Sequence, residues 1–76
     1  MKAEVKECEN LYQKEGKITF SIELCCNKVL HTLNINQYDI YRLMKENWVY
    51  NFKNLVGCKL DVIINEEGKL EIKFKN

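Results

Sequence analysis

Seventy-six residues make one domain's worth of chain, and a domain of that size buries only roughly 60–65% of the surface its unfolded chain exposes. So thin a core leaves little room to enclose a substrate and also hold catalytic groups around it, which favours a grooved binding surface over a deep pocket. Twelve basic residues against eleven acidic ones give a net charge of +1. That balance excludes a polybasic nucleic-acid arm and an acidic mimic of DNA, and Arg42, the one arginine, offers few bidentate forks for phosphate or base edges.

No apolar run reaches the roughly 18 residues of a membrane span. The charged start Met1-Lys2-Ala3-Glu4-Val5-Lys6-Glu7 lacks the apolar centre of a signal peptide, so the expected location is the cytoplasm, with no membrane partner. Cys8, Cys25, Cys26 and Cys58 are then expected to be reduced thiols that serve as small hydrophobes and turn residues. No linker or composition shift divides the chain, and a single domain over residues 1–76 is predicted.

Val5 and Leu11 fit a first strand, although Met1, Val5, Cys8 and Tyr12 fit helical spacing equally well. The strand is preferred because the turn at Gly16 needs a partner. Residues 13–18 (Gln-Lys-Glu-Gly-Lys-Ile) echo residues 65–70 (Asn-Glu-Glu-Gly-Lys-Leu), and both read as hairpin turns with Gly16 and Gly68 in the left-handed conformation. Ile18, Phe20, Ile22 and Leu24 alternate with polar residues, the period of a half-buried strand. A turn over residues 25–28, with Asn27 at positive φ, leads to a third strand marked by Val29, Leu33 and Ile35.

Asn36, with Asp39 three residues on, has the form of a helix start. Ile40, Leu43, Met44 and Trp48 recur at helical spacing, which predicts a helix from residue 37 to about 47 with its apolar stripe on the sheet. Leu60, Val62 and Ile64, then Leu70, Ile72 and Phe74, mark the last hairpin. The predicted class is α+β: a five-stranded, mostly antiparallel sheet in the order β-β-β-α-β-β with one helix packed on one face. A small barrel of the oligonucleotide/oligosaccharide-binding (OB) kind has the same order and is the alternative, with the open sheet preferred because strands of six or seven residues close only a very small barrel.

The chain carries no motif for chemistry. It has no C-x-x-C pair and no second histidine beside His31, so neither a metal site nor any cofactor is expected. His31 falls in phase with Val29 and Leu33 and reads as a structural histidine at the margin of the dry face. Glu66 and Glu67 sit in a turn where solvated charge is ordinary, and the three glycines are isolated. No catalytic residue is nominated, and the protein is expected not to be an enzyme.

Aromatic residues and cations interleave over one stretch: Tyr38, Tyr41, Arg42, Lys45, Trp48, Tyr50 and Phe52 are the candidate protein interface. The competing structural role is that Trp48 and Phe52 close the core at the end of the helix. A single-stranded nucleic-acid module would instead use Trp48, Tyr50 and Phe52 as stacking platforms, with Lys45, Lys53 and Lys59 along the backbone. The leading expectation is a small binding module acting by stoichiometric occlusion of another protein, and a homodimer through the second strand, if that strand is an edge, is a further expectation. Small proteins of phages and mobile elements, anti-CRISPR inhibitors of host defence among them, share this compact, motif-free character, a likeness of size and composition only. Such a protein would act in the host cytoplasm.

Overall fold

The structure is a computed structural model, and it describes residues 1–75. In chain order the elements are β1 (Lys2–Lys14), β2 (Lys17–Cys26), β3 (Val29–Asn36), α1 (Gln37–Glu46), a 3₁₀ turn (Phe52–Leu55), β4 (Lys59–Ile64) and β5 (Leu70–Ile72). All pairings are antiparallel, in one sheet ordered β3-β2-β1-β4-β5, so the β-β-β-α-β-β order holds.

The first hairpin is made by turn chemistry. Glu15 and Gly16 both have positive φ (52° and 77°), as do Asn27 and Lys28 (51° and 67°) in the second, and such two-residue turns match the right-handed twist of the strands. In the last hairpin Gly68 has a φ of 80°, and the Asn65 carboxamide oxygen accepts from the backbone N–H groups of Glu67 and Lys69 at 2.9 and 3.0 Å.

β1 is a strand, and it also explains its own helix-like spacing. Irregularities in register between Val5 and Glu7, and again between Asn10 and Tyr12, shift the alternation, so Ala3, Val5 and Cys8 all turn inward. Leu11, expected to be the second buried residue of this strand, is 46% exposed because it lies at the second irregularity. The first part of β1 pairs on both sides: Lys2, Ala3 and Glu4 lie opposite Asp61, Leu60 and Lys59 of β4, and Glu4 is also opposite Cys25 of β2.

These bends curl the sheet into a nearly closed barrel. β1 and β2, at 13 and 10 residues, are longer than the six or seven expected, and their length and bulges carry the curvature. The two edges, β3 and β5, face each other across a groove of about 300 Å³ between Leu33 and Ile35 on one side and Leu70 and Ile72 on the other. The arrangement fits the OB-like barrel as well as a sheet with one helix across it. β2 lies between β1 and β3, so it is not an edge, and the homodimer expected through it has no free strand to use.

One apolar cluster fills the interior, with Ile22, Leu24, Val5 and Val62 from the sheet, Ile40 and Leu43 from α1, and Leu55 from the 3₁₀ turn. Asn36 caps α1 as expected, its side-chain oxygen accepting from the Asp39 N–H at 2.9 Å. Among the described residues no polar or charged side chain is buried, so this core is held by apolar contact alone.

Candidate functional site

α1 has two faces. Ile40 and Leu43 are sealed in the core, while Tyr38, Tyr41, Arg42 and Lys45 form a solvent-facing stripe at helical spacing. The helix stops at Glu46, with Asn47 as its cap.

The stop is unusual in its chemistry. The Val49 N–H donates to the Met44 carbonyl at 3.0 Å and the Trp48 N–H to the Lys45 carbonyl at 3.4 Å, a pair of bonds that requires the residue after the cap to be left-handed. Glycine is the residue that ordinarily fills this position. Here it is Trp48, with a φ of 58°. An L-residue in that conformation costs roughly 1–2 kcal/mol. The indole does not recover this cost by packing: Trp48 is 86% exposed and Tyr50, two residues on, is 94% exposed.

The same turn explains why Trp48 departs from the apolar stripe. Spacing from Ile40 and Met44 places it inward in a continuing helix, but the left-handed residue swings it outward. Met44 and Val49, half-buried, both pack against the core cluster and occupy the two positions that are commonly apolar at this kind of helix end. The result is a shallow groove of about 930 Å³, lined by Tyr41, Arg42, Lys45, Trp48, Tyr50 and Lys75 among others.

Its polar groups are partly committed. The Arg42 guanidinium lies 4.1 Å from the centre of the Phe74 ring and 3.6 Å from the Asp39 carboxylate. Glu46 accepts from the backbone N–H of Lys75 at 3.2 Å, which ties the end of the chain to the end of the helix.

The nucleic-acid set does not gather in one place. Phe52 turns inward and meets Phe20 edge-on at 5.0 Å, so it closes the core where Trp48 does not. Lys53 pairs with Glu9 at 3.0 Å and sits 5.4 Å from the Phe52 ring, and Lys59 begins β4, paired in register with Glu4. The outer surface of β1 and β2 puts Glu7 opposite Glu23 with Glu9 beside them, an acidic wall. In OB-type binders the face of the second and third strands is the usual platform; here it offers Thr19, Ser21, Glu23, Thr32 and Asn34, with Lys17 at its end as the one cation and no aromatic among them.

The remaining candidates are dispersed. His31 is half-buried on β3, and among the described residues no group of three or more His, Cys, Asp or Glu side chains could hold a metal ion. Burial pushes the Cys8 thiol up to about 11 from an ordinary value near 9.0, which leaves it protonated and unreactive at neutral pH. Cys25 and Cys58 are half-exposed free thiols, and Cys26 is buried.

Met44, Val49 and Lys75 line the groove without having been legible as site residues. Met44 signals core by its spacing, and Lys75 reaches the helix only through the curl of the sheet. No protein-family profile matches the chain, and neither the curated proteins nor the solved structures yield a match.

Proposed function

We propose that this chain is a non-enzymatic binding module that occludes a surface of another protein through the aromatic groove at the end of α1. The observation that carries the reading is Trp48, held left-handed and 86% exposed at a position where glycine costs nothing. Strain without packing is of no use to the fold, and an exposed Trp beside an exposed Tyr and two cations is the composition of an interface centre. Tyr38, Tyr41, Arg42 and Lys45 extend that surface along the helix.

Charge favours a protein over single-stranded nucleic acid. The strand face that an OB-like binder would use has no aromatic and only Lys17, at its end, as a cation, Lys53 is engaged by Glu9, and Arg42 is engaged by Asp39 and Phe74. The likeness in size and composition to inhibitors carried by phages and mobile elements makes host-defence complexes the first partners to try, in the cytoplasm.

The test is affinity capture from such a host with the wild-type chain and with Trp48→Ala and Tyr50→Ala as parallel baits. One partner held in fixed stoichiometry by the wild type and lost by both variants is the expected result. Retention of that partner by both variants, or binding of single-stranded oligonucleotides that weakens steeply as salt rises, would overturn the reading.

A further inference from the structure

The two edges of the sheet are defended differently. β5 is three residues long, Leu70-Glu71-Ile72, and is flanked by Lys69 and Lys73, the charged and abbreviated edge that discourages further pairing. β3 is eight residues long, Val29-Leu30-His31-Thr32-Leu33-Asn34-Ile35-Asn36, and contains no Lys, Arg, Asp, Glu or Pro. Its one strand partner is β2, and residues 29–35 take part in none of the backbone bonds of the turns, loops and caps among the described residues.

Leu33, Asn34 and Ile35 face β5 across the groove, but residues 29–32 do not line it. There Val29 and Leu30 are 54% and 58% exposed, so an open row of backbone donors and acceptors stands beside uncovered apolar side chains. From these observations we infer that residues 29–32 of β3 form an interface between two copies of this chain, paired antiparallel about a two-fold axis.

The occupant follows from the chemistry of the edge. A strand without charge selects no charged partner, and its own antiparallel copy meets it with no like-charge contact while supplying every missing backbone bond. A two-fold contact uses the same strand from both copies and closes on itself. The short, charged β5 edge is a poor site for adding a further copy, so the pair is not extended through it. The surface is small beside the ~1,000 Å² of a firm interface, so the association is weak and depends on concentration. It is separate from the Trp48 groove and does not rest on it.

Sedimentation equilibrium on the full chain over a wide concentration series, to about 1 mM, reads the association directly. A monomer–dimer equilibrium is expected, weakened about tenfold or more in Leu30→Lys and Thr32→Lys, both exposed positions where the fold tolerates a charge, and unchanged in Trp48→Ala. Amide exchange provides a readout without substitution: protection of residues 29–32 rises with protein concentration while that of β5 stays constant. A wild-type chain monomeric throughout, a dimer that survives both lysine variants, or a dimer lost in Trp48→Ala would each overturn the inference.

Discussion

Phe52 and Trp48 stand four residues apart in one connection, and the fold treats them oppositely. Phe52 meets Phe20 at the margin of the core, in the first turn of a 3₁₀ segment whose Leu55 is fully buried. Trp48 is left 86% exposed on the groove at the end of α1, at a backbone conformation that disfavours it. The inner region of the helix–sheet contact is optimised for packing, and the region at the helix end is not. Buried packing and exposed surface are therefore separated by only four residues, and substitutions on the two sides of α1 are expected to have different consequences.

The largest effect is expected inside. Leu43→Ala removes a side chain that is 1% exposed between α1 and the sheet and is expected to cost about 2–5 kcal/mol in chemical denaturation. A cost under about 1 kcal/mol would erase the contrast between the two faces of the helix.

Next is the alkaline limit of the core. The folded Cys8 thiol titrates at about 11 rather than near 9.0, so the folded state binds this proton more tightly than the unfolded state does. Its contribution is fully present below pH 9.0 and is lost as pH rises towards about 11, by roughly 2 kcal/mol. Denaturation curves through that window should show a steeper loss for the wild type than for Cys8→Ala, and parallel losses would mean that the thiol is not sealed.

A smaller effect, of opposite sign, is expected at the helix end. Trp48→Gly relieves the left-handed strain and should raise stability by about 0.5–1 kcal/mol in thermal or chemical unfolding, while abolishing capture of the partner. A destabilised Trp48→Gly would show that the indole serves the fold after all. Tyr50→Ala, at 94% exposure, should leave stability within about 0.5 kcal/mol of the wild type and weaken capture alone.

Much of the architecture was legible residue by residue. Gly16 and Gly68 announce their turns because other residues enter the left-handed region at a cost, and Asn36 and Asp39 mark a helix start because free amide groups there need an acceptor. The alternation of Ile18, Phe20, Ile22 and Leu24 specifies a strand with one dry face. β1 was harder, since its bulges break the alternation and imitate helical spacing through Val5 and Cys8. The candidate site, Trp48 included, was nominated by the interleaving of aromatics and cations, whereas the helical period through Ile40 and Met44 placed Trp48 on the inner stripe: the left-handed turn that exposes it has no glycine to signal it.

Local chemistry in the chain determined the element order, the hairpin turns, the start of α1 and the composition of the dry faces, because each depends on neighbours within a few residues. The curl of the sheet, the position of β3 and β5 as its edges, the inward turn of Phe52 and the approach of Lys75 to Glu46 were decided only by tertiary structure. They depend on pairings between segments far apart in the chain, such as Lys2 with Asp61, and a contact of that span leaves no periodic trace in either partner.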